Sequence, residues 1–144
     1  MLTNSRATLL RLLGVWLAVC ALLIGLLALT GCEKQQNMNK KAFENTKAKV
    51  IANPDFKDTF DHMVYEREEV DVYIKPGPGL LEDKGKPVMF VAKTMGDELK
   101  ANPDNKLTQL MVKGYIENEE LWEVRYDMKT GEAILVKSRE VTTM

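Results

Sequence analysis

Hydrophobic and polar positions divide the chain into an apolar leader and a more polar remainder. Residues 12–29 form an uncharged run of 18 residues. The remainder mixes short apolar groups with charged residues, first at helical spacing and, after Glu69, with the period of two that marks a half-buried strand. The pattern therefore predicts helices followed by a sheet.

Two helices are predicted at the start of the remainder. Residues 40–52 carry one apolar stripe at helical spacing, made of Phe43, Thr46, Val50 and Ile51. Pro54 lacks an N–H group and disfavours helix at Asn53, so this helix should end there. The same Asn-Pro-Asp tripeptide suits the start of a second helix, with Asn53 as its N-cap. The stripe of that second helix consists of Phe56, Phe60, Met63 and Val64.

Strands are predicted at residues 70–74 and 88–92, with the loop 75–79 and a polar connection to Pro87 between them. A C-terminal hairpin follows, with a turn at 128–131 and a return strand over 132–141. Its inward residues should pack on the Phe56, Phe60 and Met63 stripe. The inward residues predicted for the hairpin are Trp122, Val124, Tyr126, Ile134 and Val136.

The segment before the hairpin has two interpretations. Residues 101–104 repeat the Ala-Asn-Pro-Asp of residues 52–55 at a spacing of 49. Residues 103–113 could form a helix closed by Gly114, which would make a duplicated helix–strand–strand unit. Alternatively, residues 107–116 form a strand that turns at Glu117 and Asn118, and the apolar residues fit this strand slightly better.

Together these elements predict one small α+β domain at residues 40–144, behind a flexible polar tether at residues 32–39. The expected architecture has N-terminal helices packed on one face of an antiparallel sheet of about four to five strands. A chain of this length can bury a core without disulfides or a metal.

Charge excludes one class of partner. The 20 basic and 21 acidic residues give a net charge of −1, and the only charges before Cys32 are Arg6 and Arg11. Residues 32–144 therefore carry 18 basic and 21 acidic residues, a net charge of −3. Nucleic-acid binding needs a concentrated basic face, so no nucleic-acid partner is expected.

The leader has the layout of an export signal, with two arginines before the apolar run and small residues after it. Its end, Leu29-Thr30-Gly31-Cys32, resembles the lipobox of bacterial lipoproteins, and the resemblance covers only this segment of the chain. It implies cleavage between Gly31 and Cys32 after a signal peptide of residues 1–31. The other interpretation is a transmembrane anchor, since about 18 apolar residues can span a bilayer.

The lipobox resemblance further implies that Cys32 carries diacylglycerol and acyl chains such as palmitate. Cys20 would be lost with the signal, so the mature chain would hold no free thiol. In a Gram-negative host, the sorting rule of this class retains in the inner membrane mainly those lipoproteins that have Asp directly after the lipidated cysteine. Glu33 therefore predicts the outer membrane, with the domain facing the periplasm.

One group of residues could carry chemistry. On a helix, His62 would lie at four-residue spacing from Asp58 and Glu66, a face that could hold a divalent metal or position a water. A single His fits no recognised metal motif, however, and no nucleophile elbow or phosphate loop occurs. We therefore expect no catalytic residue, no metal and no cofactor. The candidate group comprises Asp58, Asp61, His62, Glu66, Glu68, Glu69 and Asp71.

The loop Pro76-Gly77-Pro78-Gly79 is a possible contact surface between rigid elements. The preferred interpretation is a lipid-anchored envelope lipoprotein that binds a protein partner without catalysis, through this loop or one face of the sheet. The alternatives are an envelope enzyme or metal-dependent hydrolase using the His62 group, an immunity or inhibitor lipoprotein, and a spacer or ligand carrier.

Overall fold

The computed structural model describes the backbone of residues 3–66 and 68–138, and the side chains of residues 14–22, 31–66, 68–80 and 82–138. The described residues form two helices and a five-stranded mixed sheet, an α+β fold. The elements in chain order are α1 (Thr3–Ala52), β1 (Phe60–Glu66), β2 (Glu69–Ile74), α2 (Leu81–Lys100), β3 (Gln109–Ile116), β4 (Glu119–Asp127) and β5 (Glu132–Ser138).

The chain forms two compact units, residues 1–36 and 37–144. Helix α1 contributes to both and contains the segment 32–39, which is helical instead of the irregular tether that we predicted. The reason is local, since no glycine or proline lies between Cys32 and Ala52 and most residues there are good helix formers. The predicted helix at 40–52 is confirmed, with Phe43, Thr46 and Val50 buried, but Ile51 is exposed.

The sheet has the order β1-β2-β3-β4-β5. Neighbouring strands are antiparallel except for β2 and β3, which are parallel. The parallel pair arises because α2 lies between these two strands in the chain, and a helical crossover is the usual connection between parallel strands. The predicted α+β class, with helices on one face of a sheet of about four to five strands, is confirmed. The sheet is mixed and not antiparallel throughout, and α2 lies between strands of the sheet and not N-terminal to it.

The predicted second helix is replaced by a turn at residues 54–59 and by strand β1. Phe60 and Met63 are both buried, as predicted, but on one face of a strand and not on one face of a helix. The pairing of β1 with β2 shifts between Phe60 and His62. This bulge inserts one residue, so side chains three positions apart reach the same face of the sheet.

The predicted strand at 88–92 lies within helix α2. The run of apolar residues and Pro87 suggested a strand after a loop, yet Pro87 removes only one backbone hydrogen bond, the one to the Asp83 carbonyl. The buried positions of α2 recur at helical spacing and form the stripe that faces the sheet. They are Lys84, Pro87, Val88, Val91, Ala92, Met95, Gly96 and Leu99.

The C-terminal hairpin forms as predicted, with Trp122, Val124 and Tyr126 buried. Its inner face packs on α2, however, and not on a helix containing Phe56 and Phe60. The contact is close because α2 presents glycines to the aromatic rings. A Cβ added at Gly85 would lie 2.7 Å from Nε1 of Trp122, and one added at Gly96 would overlap the ring of Tyr126.

The ambiguous segment resolves as the strand β3, which turns at Glu117 and Asn118, both with positive φ. The two Ala-Asn-Pro-Asp segments nevertheless have the same role, because each follows a helix and precedes a pair of antiparallel strands. In both, the asparagine Oδ1 accepts a hydrogen bond from the N–H two residues later, at 2.9 Å for Asp55 and 3.0 Å for Asp104. The helix–strand–strand unit thus occurs twice, with its helix before the repeated segment and not after it.

Candidate functional site

Strand β5 forms one edge of the sheet, and no strand among the described residues pairs with its outer side. Three consecutive large apolar side chains on it are exposed, at 53% for Ile134, 46% for Leu135 and 47% for Val136. Our prediction that Ile134 and Val136 face the core with Trp122 was wrong. Ile134 pairs with Arg125 on the opposite face, and a bulge leaves Val136 without a partner on β4.

Exposure of this strand is unusual because free sheet edges are normally protected by charges, prolines or short length. Residues 133–136 contain neither a charge nor a proline. The unpaired backbone groups of such an edge can bind another extended chain. We therefore regard β5 as the candidate binding element of the molecule.

A groove runs beside β5 on the helix side of the sheet, with a volume of about 390 Å³. Leu135 is the link between the two features, since it lies on the exposed strand and also lines the groove. Glu82 and Lys86 supply charges, and most other lining groups are apolar. The residues that line the groove are Glu82, Gly85, Lys86, Met89, Trp122, Val124, Leu135 and Ser138.

The opposite face of the sheet is not covered by the described part of the domain. Helix α2 and residues 37–52 of α1 lie on the other side, where α2 contacts the sheet and Phe43 contacts Tyr65, with ring centroids 5.7 Å apart. Three aromatic rings form a row across β1, β2 and β3 on the uncovered face. His62 stacks on Tyr73 at 4.4 Å, and Tyr73 stacks on Tyr115 at 5.3 Å.

Charge is concentrated on this uncovered face. The strand pairing places seven carboxylates and three basic side chains there, a net charge of −4, whereas the whole chain has a net charge of −1. Two ion pairs join part of this set, Lys113 with Glu69 at 2.8 Å and Lys137 with Glu120 at 2.7 Å. The charged side chains of the face are Glu66, Glu69, Asp71, Lys113, Glu120, Glu123, Arg125, Asp127, Glu132 and Lys137.

Asp71 lies near the centre of the uncovered face. Its Oδ1 is buried and has no hydrogen-bond partner among the described residues. Burial raises the pKa of the Asp71 carboxyl, and the carboxylates of Glu69, Glu66 and Glu120 raise it further, while Lys113 opposes the rise. Burial, reinforced by the neighbouring carboxylates, therefore disfavours ionisation of Asp71.

The His62 group does not form the helical face on which its chemistry depended. Asp58 lies in a turn, and His62 lies on β1, where its Nδ1 is 2.7 Å from Oδ2 of Asp61. Glu66, Glu69 and Asp71 share the uncovered face with His62, and Glu68 occupies the β1–β2 turn with φ of 68°. Within the described residues, no three His, Cys, Asp or Glu side chains are placed to hold a metal ion.

The Pro76-Gly77-Pro78-Gly79 loop is exposed throughout. Gly77 and Gly79 adopt φ of +143° and +131°, values that favour glycine. The buried ammonium of Lys84 donates a hydrogen bond to the Gly77 carbonyl, so the loop is attached to helix α2. Its use as a contact surface stays a prediction.

The lipobox residues lie in helix α1, where Gly31 is half-buried and Cys32 is exposed. The side chains of Leu29 and Thr30 lie outside the described set, as does the end of the predicted return strand at 139–141. Among the described helical residues, no segment is long and apolar enough to cross a membrane.

Sequence reasoning did not identify the β5 edge as a candidate site. The signal was present in residues 133–136, where four apolar residues in a row give no strict alternation. An unbroken apolar run of this kind is typical of a strand buried on both faces, and only the order of strands in the sheet shows that this strand lies at an edge.

No protein-family model, curated protein or solved structure matches the chain.

Proposed function

We propose that the protein is a lipid-anchored lipoprotein of the bacterial cell envelope that binds a protein partner and performs no catalysis. The support for the anchor is the lipobox sequence ending at Cys32. The support for protein binding is the β5 edge, where an unpaired strand exposes Ile134, Leu135 and Val136 beside an apolar groove. Contiguous exposed apolar surface of this kind commonly marks an interaction site.

The anchor predicts a defined mature species. Intact mass spectrometry of the protein from envelope membranes should give a chain that begins at Cys32 and carries two or three acyl chains. Cys32→Ala should leave an uncleaved precursor without lipid, because the cysteine is the acceptor. A mature chain that begins at any other residue would refute the proposed anchor.

Partner binding can be tested by placing a photoreactive amino acid at Leu135 in the full chain, in cells that naturally produce the protein. We expect a discrete cross-linked adduct that is reduced by adding Ile134→Lys. The exposed Ile51 and Leu80 are matched control positions, since both are large apolar residues on the globular unit. An adduct at Ile51 of equal strength, or none at Leu135, would contradict the proposal, and an adduct only at Leu80 would move the site to the Pro76–Gly79 loop.

A further inference from the structure

We propose that the partner adds an extended strand to the free edge of β5, and that this strand carries basic side chains over the uncovered face of the sheet. This inference rests on the proposed function and adds the mode of binding and the chemistry of the partner segment. The added strand would be amphipathic, with apolar side chains toward the groove and Lys or Arg on the opposite side.

The mode of binding follows from the edge and the groove together. An added strand would lie about 4.8 Å from β5, with alternate side chains on opposite faces of the sheet. On the helix side its apolar side chains would enter the groove beside Leu135, Met89 and Trp122. The backbone groups on the outer side of β5 would then gain the partners that they lack among the described residues.

The basic character follows from the charge of the uncovered face. On β4 and β5 alone, Glu120, Glu123, Asp127 and Glu132 outnumber Arg125 and Lys137. Lys137 is already engaged by Glu120 at 2.7 Å, which leaves the surplus on the remaining carboxylates. Lys and Arg have stems long enough to reach from an added strand across β5, and opposite charges on neighbouring strands are favourable.

Electrostatics also disfavours a second copy of this chain as the occupant. Two copies joined through antiparallel β5 strands would be related by a twofold axis normal to the sheet, so their uncovered faces would form one continuous surface. Each face carries a net charge of −4, and like charges across a sheet are destabilising. A basic segment of another protein removes this conflict.

The test uses the mature lipidated protein in an uncharged detergent, with fluorescent seven-residue peptides as probes. One peptide alternates Val and Lys, and its control alternates Val and Glu. We expect the Val/Lys peptide to bind at least tenfold more tightly at low salt, and added salt to reduce the difference, because exposed charges are screened. Equal binding of the two peptides, or no binding of the Val/Lys peptide, would overturn the basic character of the partner.

Two changes locate the interaction. The double variant Glu123→Gln and Glu132→Gln should weaken binding of the Val/Lys peptide several-fold, whereas Glu44→Gln with Asp58→Asn, exposed acids outside the face, should leave it unchanged. N-methylation of alternate residues of the peptide removes backbone donors without altering charge and should abolish binding when it falls on the side facing β5. If both N-methylated isomers bind as well as the parent, strand addition is refuted.

These outcomes are separable from those of the proposed function. An adduct at Leu135 in cells, together with failure of the Val/Lys peptide, would retain the binding function and reject the basic strand. An adduct with twice the mass of the chain would identify a second copy as the occupant and overturn this inference. The absence of any cross-linked adduct at Leu135 in cells would reject the proposed function.

Discussion

Tyr126 shows how one residue connects the core to the surface. Its ring is fully buried under helix α2, while its hydroxyl donates a hydrogen bond to Oδ1 of Asp97 at 2.6 Å. Lys93 reaches the same carboxylate oxygen at 2.8 Å. These two donors, Lys93 first, hold the pKa of Asp97 below its ordinary value of 3.8, and burial raises the pKa of the Tyr126 hydroxyl.

Tyr126→Phe should raise the pKa of Asp97 toward its ordinary value, since one of its two donors is lost. The variant should also lose about 0.5–1.5 kcal/mol of unfolding free energy at neutral pH, the usual net contribution of a hydrogen bond. Because the folded-state pKa of Asp97 lies below the unfolded value, this stabilisation is complete above about pH 4 and is lost as pH falls through the folded-state pKa. Carboxyl NMR titration and urea unfolding at pH 7 and pH 3 check both effects. An unchanged Asp97 pKa would contradict the assignment.

Gly96 tests the packing of α2 on the hairpin. A methyl group there would overlap the Tyr126 ring, which cannot swing aside because it is fully buried and its hydroxyl is bonded to Asp97. Overpacking costs about 1–3 kcal/mol and outweighs the gain in helix propensity of about 1 kcal/mol. Thermal unfolding should therefore show a lower midpoint for Gly96→Ala, with Thr94→Ala on the same helix as control. A midpoint equal to that of the wild type would show that the hairpin does not pack closely on α2 at Gly96.

At the scale of elements, the parts predicted correctly are those whose side-chain period is undisturbed. Val70, Val72 and Ile74 of β2 alternate without interruption, and so do Trp122, Val124 and Tyr126 of β4. Each strand was recognised together with the face that it buries. Alternation needs no knowledge of the neighbouring elements, which is why it could be interpreted from the sequence.

The elements that were misassigned each contain a local irregularity. The bulge between Phe60 and His62 gives β1 the spacing of a helix. On β5 the hairpin register sets Ile134 opposite Arg125, away from the core, and a bulge leaves Val136 without a partner. Pro87 within α2 imitates a helix boundary. Bulges depend on how two strands pair, and a tolerated proline depends on packing, so neither can be inferred from one segment of sequence. The same limit hid the β5 edge, because its exposure follows from strand order.

The repeated Ala-Asn-Pro-Asp segment yields a prediction at this scale. If it connects each helix to its strand pair, removing the asparagine side chain should be unfavourable at both positions. We expect Asn53→Ala and Asn102→Ala each to cost about 0.5–1.5 kcal/mol, the loss of one hydrogen bond. Asn53→Asp and Asn102→Asp keep the acceptor oxygen and should be close to the wild type in urea unfolding. A loss confined to one of the two positions would show that the segments are not equivalent in energy.

At the scale of the whole molecule, charged and apolar residues are distributed unevenly along the chain and between the two faces of the sheet. The two charges before Cys32 are both basic, whereas the uncovered face of the sheet carries a net charge of −4. Among the described residues, the helix side of β2, β3 and β4 is apolar and buried, whereas Leu135 of β5 is exposed beside the groove. This division supports the proposal that the first residues serve for export and anchoring and that the folded unit presents a binding edge.

The export proposal leads to a prediction about location. Sorting of Gram-negative lipoproteins, as implied by the lipobox resemblance, depends on the residue after the lipidated cysteine, which is Glu33 here. Glu33 is exposed and precedes the compact unit that starts at residue 37, so its replacement should leave the folded domain intact. In a Gram-negative host, Glu33→Asp should therefore move the protein from the outer to the inner membrane without changing its thermal midpoint. Glu33→Gln, which keeps the length of the side chain and removes its charge, should stay in the outer membrane. Sedimentation of separated membranes measures the distribution. A wild-type protein confined to the inner-membrane fraction would overturn the predicted location. It would not bear on lipidation at Cys32, which intact mass spectrometry tests separately.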